Sequence, residues 1–503
     1  MRRAVLILAV TLSTLVAMVG SSVAQSSKAA PKPSRTDASQ RVDFNGDGFN
    51  DLAVGAPGED TGGALDAGAV NVVYGGQGGL VGANQTIVQG NPETGDLFGS
   101  AVAKGDFNAD GFTDLAVGAP FEDLAASTDA GAVVVFYGDQ NGLPNSGGQV
   151  LSQANPEESD AFGEALDTGF FNADGFADLA VGAPLETLAG NSSAGAVTVF
   201  AGAVAELAGV GQVLTQANPE TGDFFGAALV VGDFVGGGNA LAVGAFGEDV
   251  GGAGNAGSAH VFYNSTAGLP TTSQLLLQSN PEVGDQFGSA LAAGYFNADA
   301  FMELAVGAPF EDVGSQSAAG AVNIFPGSTT GLAASGPSFV QGPGTGGMPE
   351  TADLFGASLA TGLFDDINGL WDLAVGAPGE GIGAADDAGV VNVLYGSTTG
   401  LVGRNQALSQ DTPGVPGNAE AGDRFGAALA RGVLFNNFNG DNDADLAIGA
   451  PGEGVAGAEA AGAVNVVYGS ASGLTGTGSQ LFTQGPGTGG LVEPFDNFGA
   501  ALD

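Results

Sequence analysis

One heptapeptide recurs seven times in this chain of 503 residues, and it constrains the possible fold more than any other feature. Its first copy, Asp-Leu-Ala-Val-Gly-Ala-Pro, occupies 51–57, and the others begin at Asp114, Asp178, Ala240, Glu303, Asp372 and Asp445. A second marker, Phe-Gly followed by small and apolar residues, alternates with it and begins at Phe98, Phe162, Phe225, Phe287, Phe355, Phe425 and Phe498. Successive heptapeptides are 62 to 73 residues apart, which predicts an array of one repeated unit.

Each unit has the pattern of four short strands separated by turns. In the second unit we predict strands at 98–104, 115–118, 132–137 and 149–153, and the alternation of Val133, Val135 and Tyr137 is typical of a half-buried strand. The 90 glycines and 22 prolines supply abundant turn chemistry. Four strands per unit, repeated seven times, predict an all-β, seven-bladed β-propeller of four-stranded blades over 41–503.

The order of the markers also predicts how the ring closes. The first unit has no Phe-Gly strand before Asp43, and the last Phe-Gly strand, which begins at Phe498, has no unit after it. We therefore expect the C-terminal strand to complete the first blade. A closed ring removes the open sheet edge that a linear solenoid would expose.

The N-terminal residues have the pattern of an export signal. Arg2 and Arg3 precede an apolar run, and Ser22-Val23-Ala24 fits a cleavage site, so we predict a signal peptide at 1–24 and a polar linker at 25–40. No other stretch is apolar enough to span a bilayer, and no membrane insertion is expected. The mature protein is predicted to be secreted, either extracellular or at the cell surface, and to be a monomer.

The charge of the chain excludes several classes of partner. With 55 acidic against 10 basic side chains the formal net charge is −45. Such a surface repels nucleic acids and anionic lipid head groups and favours cations. Cysteine is absent and His260 is the one histidine, which excludes thiolate sites and sites with two imidazoles.

A nine-residue loop before the heptapeptide carries the pattern of a calcium site. In the first unit, side-chain oxygens stand at positions 1, 3, 5 and 9, a glycine stands at 6, and the carbonyl of position 7 adds a ligand. Calcium requires six to eight oxygens, which alternate residues of a curled loop supply, whereas Mg²⁺ demands stricter geometry. The three complete loops contain Asp43, Asn45, Asp47, Phe49 and Asp51; Asp106, Asn108, Asp110, Phe112 and Asp114; and Asn437, Asn439, Asp441, Asp443 and Asp445.

The other four copies lack part of this ligand set. The third and sixth loops have Phe170 and Phe364 at position 1, and we expect weaker sites from the remaining oxygens of Asn172, Asp174, Asp178, Asp366, Asn368 and Asp372. The fifth loop has Tyr295 at position 1 and retains only Asn297, Asp299 and Glu303. The fourth has lost its final carboxylate. We thus predict three structural calcium sites and up to three weaker ones; the alternative is an acidic loop that hydrogen-bonds to its own backbone.

These motifs resemble the FG-GAP repeat of integrin alpha-subunit propellers, over about 41–503. The resemblance implies a seven-bladed propeller, calcium in loops on one face, and extracellular recognition or adhesion. It also indicates a freestanding, bacterial FG-GAP protein, because the leg domains, transmembrane helix and cytoplasmic tail of an animal receptor subunit are not seen in the sequence. Heterodimer formation and signalling are therefore not carried over.

The loops after the second and fourth strands are predicted to lie on the face opposite the calcium loops, and they are acidic. Glu93 and Asp96, with Glu122 and Asp123, are examples that recur in other units. Such a ring could attract cationic or metal-bridged ligands, or it could serve only for solubility and turn formation. Because no carboxylate pair differs from its siblings, no catalytic residue is assigned.

Three hypotheses for the function follow. The first is a recognition or adhesion module for an extracellular protein or glycan, and not an enzyme. The alternatives are a carbohydrate-active enzyme, a lyase or hydrolase, and a purely structural surface protein.

Overall fold

The computed structural model describes residues 42–81, 84–124, 127–265, 268–365, 367–430, 437–441, 443–485 and 490–503. The predicted signal peptide and linker lie outside these residues. Within them, the regular secondary structure consists of 28 strands in seven four-stranded antiparallel sheets. None of the described segments forms a helix long and apolar enough to cross a membrane.

Each sheet is one blade, numbered here along the chain, with its strands given from the inner to the outer edge. Blade 1 contains β28 (Ala501–Leu502), β1 (Leu52–Ala56), β2 (Ala69–Val73) and β3 (Asn84–Ile87). Blade 2 contains β4 (Ala101–Gly105), β5 (Asp114–Ala119), β6 (Ala132–Phe136) and β7 (Gln149–Leu151). Blade 3 contains β8 (Ala165–Gly169), β9 (Asp178–Ala183), β10 (Ala196–Phe200) and β11 (Gln212–Leu214).

The other four blades repeat this order. Blade 4 contains β12 (Ala228–Gly232), β13 (Ala240–Ala245), β14 (Ser258–Tyr263) and β15 (Gln274–Leu276). Blade 5 contains β16 (Leu291–Gly294), β17 (Glu303–Ala308), β18 (Ala321–Phe325) and β19 (Ser338–Phe339). Blade 6 contains β20 (Ser358–Gly362), β21 (Asp372–Ala377), β22 (Val390–Tyr395) and β23 (Val402–Leu408). Blade 7 contains β24 (Ala428–Leu429), β25 (Leu446–Ala450), β26 (Ala463–Tyr468) and β27 (Thr475–Phe482).

The ring closes as the sequence predicts. The inner strand of every blade contacts the inner strand of the next, and β28 contacts both β24 and β4. Within blade 1, Leu502 pairs with Val54 and Ala501 with Gly55. The amide of Ala53 donates to the carbonyl of Asp503 at 2.9 Å. The predicted all-β, seven-bladed architecture with its C-terminal closing strand is therefore confirmed.

The prediction of a half-buried third strand is wrong. All five residues of β6 are buried, and Val134, which lies on the supposed outer face, is only 6% exposed. Each blade is covered on both faces by its neighbours, so both sets of alternating side chains enter a core between blades. Phe98 of one interblade core packs edge-to-face on Phe136, with ring centroids 6.1 Å apart.

The two glycine markers meet where neighbouring blades touch. A Cβ atom added to Gly118, in the heptapeptide of blade 2, would lie 2.0 Å from the carbonyl oxygen of Gly163, which belongs to the Phe-Gly marker of blade 3. Gly163 has a φ of +101°, a conformation that strongly favours glycine. The equivalent contacts, all at 2.0 to 2.1 Å from the added Cβ, join Gly55 to Gly99, Gly182 to Gly226, Gly244 to Gly288, Gly307 to Gly356, Gly376 to Gly426 and Gly449 to Gly499. Backbone-to-backbone contact thus explains why both markers recur.

Candidate metal loops and channel mouth

The first predicted calcium loop, loop 1 (43–51), is curled by side-chain to backbone hydrogen bonds. The carboxylate of Asp43 accepts from the amides of Asp47 at 3.1 Å and Gly48 at 2.8 Å. Asn45 accepts from the Asp47 amide at 3.0 Å, and Asp47 accepts from the Phe49 amide at 2.9 Å. Every polar side chain at positions 1, 3 and 5 therefore lies at the same turn.

The position 9 carboxylate is buried and hydrogen-bonds to backbone amides at both ends of its side-chain carboxyl group. Asp51 is 1% exposed, and its two oxygens accept the amides of Phe44 at 2.7 Å and Gly75 at 2.8 Å. Burial raises the pKa of Asp51 to about 7 despite these bonds, and the negative charges of Asp43 and Asp47 raise it further. A divalent cation would relieve both burial and repulsion, because it favours the charged carboxylate.

Loop 2 (106–114) and loop 7 (437–445) repeat this arrangement. In loops 1, 2 and 7 the position 3 asparagine donates its amide hydrogens to the position 5 aspartate, at 3.1, 2.9 and 2.9 Å respectively. Burial raises the pKa of Asp114 to about 7 and that of Asp445 to about 8. In loops 2 and 7 the position 9 carboxylate accepts backbone amides, those of Phe107 and Gly138 for Asp114 and those of Phe438 and Gly469 for Asp445.

Loop 3 (170–178) and loop 5 (295–303) differ at this point. The amide nitrogen of Asn172 donates to Asp178 at 3.3 Å, and that of Asn297 donates to Glu303 at 2.5 Å. An internal donor thus lies against the position 9 carboxylate. Loop 4 (233–240) is one residue shorter and ends at Ala240, where the other loops have a carboxylate. The carboxylate of Asp233 accepts the amides of Gly236 and Gly237.

In loop 6 (363–372) the structure corrects the predicted register. The amide of Phe364 donates to Asp372 and its ring covers Gly362, the contacts made in other blades by the phenylalanine at position 2. Leu363 therefore stands at position 1 and Asp365 at position 3, with one residue inserted after them. Asp366, the residue we predicted as a ligand, lies outside the described residues.

A cationic side chain already occupies loop 6. The guanidinium of Arg404 donates to Asp365 at 2.6 Å and lies 4.1 Å from the centre of the Tyr395 ring. Asn368 donates to the carbonyl of Gly396 at 2.8 Å. Asn368, a predicted ligand, and Asp365, which was not predicted, are thus engaged with the protein itself.

The oxygens of loops 1, 2 and 7 suit calcium in their chemistry, since carboxylate, amide and carbonyl oxygens are its preferred ligands. Across the described ranges, no group of three or more Asp, Glu, His or Cys side chains is arranged to hold a metal ion. The ligand set predicted for each loop also includes an asparagine and a backbone carbonyl. If a cation binds, Asp43, Asn45, Asp47 and Asp51 are the side chains that would hold it in loop 1.

On the opposite face, the predicted acidic loops meet in pairs at the joints between blades. At the joint of blades 1 and 2, the carboxyl groups of Asp96 and Glu122 contact each other, and Gln89 donates to both. Burial, and secondly the charge of Asp96, raises the pKa of Glu122 to about 7. The corresponding glutamates, all with raised pKa values, are Glu59, Glu186, Glu248, Glu311, Glu380 and Glu453.

Sequence reasoning missed one feature of this face, a cavity at the mouth of the central channel. It has a volume of about 410 Å³ and lies among blades 2 to 6. Its apolar lining comes from Phe121, Leu185, Phe224, Phe246 and Phe310. The rings of Phe224 and Phe246 are stacked, with centroids 4.8 Å apart.

One carboxyl group enters this apolar lining. Glu164 follows the Phe-Gly marker of blade 3, and the surrounding protein raises its pKa. The residues at the same position in the other units are small: Ser100, Ala227, Ser289, Ala357, Ala427 and Ala500. The mouth is therefore asymmetric in both charge and apolar surface.

The other side of the ring is built differently. Where blades 2, 3 and 5 have Phe121, Leu185 and Phe310 after the heptapeptide, blades 1, 4, 6 and 7 have glycine, and blade 4 has Phe246 one residue earlier. A Cβ added to any of these four glycines would lie 1.8 to 2.0 Å from a neighbouring carbonyl oxygen. An alignment of the seven units at this position would have revealed the asymmetry.

The FG-GAP repeat family model matches the chain at 40–73, 98–136, 162–200, 287–325 and 437–467. Integrin alpha-PS5 from Drosophila melanogaster is 38% identical over 148 residues, which are 28% of this chain and 14% of that protein. Phosphatidylinositol-glycan-specific phospholipase D from Bos taurus is 36% identical over 166 residues, 32% of this chain and 19% of the enzyme. The chain thus spans less than a fifth of either relative.

A crystal structure of AofleA from Arthrobotrys oligospora aligns with 77% of this chain and 87% of its own, with a TM-score of 0.36 and 11% identity. That similarity is too low to bear on the function. The five family matches lie in blades 1, 2, 3, 5 and 7, and the heptapeptide and Phe-Gly markers extend the pattern to the other two blades. The chain contains FG-GAP repeats in five places, forms a seven-bladed propeller and is similar in sequence to integrin alpha subunits.

Proposed function

We propose that this protein is a secreted recognition module that binds an extracellular protein or glycan at the channel mouth and is braced by calcium on the opposite face. The observation that carries the proposal is the broken symmetry of the mouth. The glycine contacts at the joints repeat in all seven units, whereas here five adjacent blades form an apolar cavity with a single carboxyl group.

The chemistry of the cavity favours a particular kind of ligand. Aromatic faces bind apolar surface and cations, and the exposed carboxyl group of Glu164 beside them favours a positively charged or hydrogen-bonding partner. Phe310 is 40% exposed although it is large and apolar, which is typical of a surface that a ligand covers. We therefore expect a ligand that presents an apolar segment with a cationic or hydroxyl group at its end.

The calcium proposal is supported by loops 1, 2 and 7, in which oxygen-bearing side chains at positions 1, 3 and 5 curl over a buried carboxylate at position 9. At a calcium concentration ten times the dissociation constant, each ion would stabilise the fold by about 1.4 kcal/mol. These ions would have a structural role, because the loops lie on the face opposite the cavity.

Enzymatic activity remains a separate hypothesis, since one set of relatives has the name of a phospholipase D. The Asp–Glu pairs recur at the joints between blades, so none of them is distinguished as an acid–base pair. Glu164 is the one carboxyl group of the mouth with no counterpart in the other blades. Any turnover would therefore depend on Glu164.

The test is a glycan and protein binding array, run with Ca²⁺ and with chelator, followed by turnover measurements on every ligand found. Phe310→Ser and Glu164→Gln should each weaken binding at least tenfold. Phe170→Ser is the matched control, because Phe170 is 44% exposed but lies on the calcium-loop face. If Phe170→Ser weakens binding as much as Phe310→Ser does, the channel mouth is not the site.

A further inference from the structure

We infer that the channel mouth binds the basic N-terminal segment of a second copy of this chain, so that propellers associate head to tail. The N-terminal segment is residues 28–41, which read Lys-Ala-Ala-Pro-Lys-Pro-Ser-Arg-Thr-Asp-Ala-Ser-Gln-Arg. This inference rests on the proposed binding at the channel mouth and names its occupant. It replaces the monomer that we expected from the sequence with an association that depends on protein concentration.

The N-terminal segment concentrates the positive charge of the chain. Of the 10 lysines and arginines, Arg2 and Arg3 lie in the predicted signal peptide, and four lie in the segment, at positions 28, 32, 35 and 41. Asp37 is the one carboxylate of the segment, so four basic side chains against one acidic side chain give it a net charge of +3. The chain as a whole has a formal net charge of −45.

The face around the cavity has the opposite charge. Within the described ranges, two of the three basic side chains, Lys104 and Arg404, are paired with carboxylates. The third, Arg424, precedes the Phe-Gly marker of blade 7, outside the five blades that line the cavity. Opposite charges on two surfaces speed their association and favour this pairing over others. The exposed carboxylates of the loops around the cavity include Asp123, Glu157, Glu220, Asp249, Glu282 and Asp312.

The sequence of the segment also matches the apolar lining of the cavity. Pro31 and Pro33 flank Lys32. Proline and the residue before it favour extended conformations, so binding removes less backbone freedom, and aromatic-lined grooves recognise such segments. The cavity offers several aromatic rings with the carboxyl group of Glu164 among them. We expect Lys32 to pair with Glu164 while the two prolines pack on the rings.

The segment and the cavity lie at opposite ends of the channel. In blade 2 the inner strand β4 ends at Gly105, which pairs with Asp114 at the end of loop 2. Val42 takes the same place in blade 1, because its carbonyl accepts the amide of Asp51 at 2.6 Å. The N-terminal segment therefore joins the propeller on the metal-loop face, beside the channel, whereas the cavity opens on the opposite face.

This arrangement favours a contact between copies. The ten residues from Lys32 to Val42 span at most about 35 Å, so the segment can reach the cavity of a neighbouring copy without contact between the two acidic bodies. A donor at one end and an acceptor at the other form a heterologous interface, and each added copy presents both again. The expected assembly is an open chain of propellers that lengthens with protein concentration.

The experiment uses the full chain, with Ca²⁺ and ionic strength held constant. Sedimentation velocity over a range of protein concentrations should show monomers that give way to dimers and longer chains. Glu164→Arg at the mouth, and Lys32→Glu combined with Arg35→Glu in the segment, should each weaken association at least tenfold. Glu206→Arg is the matched control, because Glu206 is exposed in the same blade as Glu164 but lies between β10 and β11 on the metal-loop face. It should associate like the wild type.

Mixing the variants tests the direction of the contact. The Glu164→Arg protein keeps an intact segment, and the double variant keeps an intact mouth. An equal mixture should therefore form dimers and nothing larger. A segment that occupies the cavity of its own chain would leave the mixture monomeric, and a symmetric contact between like ends would leave one of the two variants able to associate alone. Either result would contradict the inference.

The outcomes separate this inference from the proposed function. If the wild type stays monomeric at every concentration, the head-to-tail contact is wrong, while a ligand from the binding array that Phe310→Ser no longer binds would still support recognition at the mouth. If there is neither association nor such a ligand, both proposals fail. If oligomers persist in Glu164→Arg, association uses another surface and the inference is wrong.

Discussion

The joints between blades and the channel mouth lie on the same face, but the joints repeat the same residues in each blade whereas the residues at the mouth differ between blades. At the joints, an Asp–Glu pair recurs around the ring, and glycine backbones approach each other seven times at nearly the same distance. At the mouth, Phe121 and Phe310 stand on one side and glycines stand on the other. Repetition at the joints indicates a structural role, since every blade must pack against the next in the same way. A departure from repetition indicates a contact with something that lacks sevenfold symmetry.

The largest effect is expected from adding one carbon atom at a joint. Gly118→Ala should destabilise the fold by about 3 kcal/mol or more, because its Cβ would lie 2.0 Å from the Gly163 carbonyl oxygen. The clash is with main-chain atoms, which cannot move aside without displacing the neighbouring blade. Chemical denaturation measures the change. Gly90→Ala is the control, since nothing lies within 4 Å of its added Cβ; similar losses in both variants would contradict the role of the joint.

Next in size is the ion pair at the closing strand. Lys104→Met should cost about 2 kcal/mol, because it leaves the Asp503 carboxylate, 10% exposed, without its cation. The double variant with Asp503→Asn retains an acceptor for the Lys104 amide and should recover most of the loss in the same denaturation assay. A double variant no better than the single one would show that the pair contributes packing and not charge.

The acidic joints predict a dependence of stability on pH. The folded state raises the pKa of Glu186 to about 7 through burial and the Asp160 charge, so folding favours the protonated form. Stability is therefore unaffected below the ordinary glutamate pKa of about 4.3 and is lost as the pH rises from there to about 7. Because these side chains are only half-buried, we expect about 1 kcal/mol per joint.

Glu186→Gln should remove one such titration and flatten the pH dependence of unfolding, measured at saturating Ca²⁺ so that the metal loops do not titrate. Glu158→Gln is the control, since Glu158 is exposed in the same loop and its charge does not contribute to the raised pKa of Asp160 or Glu186. Stability that rises between pH 5 and 7 in the wild type would show that the joints hold two charges without penalty.

The smallest effect on stability is expected at the mouth. Phe121→Gly makes blade 2 resemble blades 1, 6 and 7, and because the Phe121 side chain lines a cavity it should cost below about 1 kcal/mol while abolishing any ligand binding found. Calorimetry on the free and ligand-saturated protein separates the two effects. A large loss of stability with binding retained would place Phe121 in the core.

Much of the fold could be predicted because the repeat fixes unit length, strand number and closure. The burial of the third strand could not, because alternation along β6 describes one sheet and not the neighbours that cover both of its faces. The register of loop 6 was ambiguous, since counting forward from Gly362 and backward from Asp372 gives different positions for Phe364. The structure resolves this through the Phe364 amide bond to Asp372 at 2.9 Å.

The candidate sites likewise have some features that the sequence predicts and others that only the structure shows. The oxygen pattern of loop 1 is visible in the sequence, but whether Asn172 turns its amide onto Asp178 depends on a rotamer that spacing does not encode. The cavity depends on which of seven equivalent positions carry bulky side chains, and Phe121 and Leu185 are 64 residues apart in the chain. Only the closed ring brings them together.

The glycine contacts have a consequence for how such a protein can change. Since backbone atoms of paired glycines meet at every joint, the spacing between neighbouring blades does not depend on the side chains at the channel mouth. Residues at the channel mouth can therefore be substituted without disturbing the fold. A new binding specificity could be engineered at Phe121, Leu185 and Phe310 while the joint glycines are left unchanged.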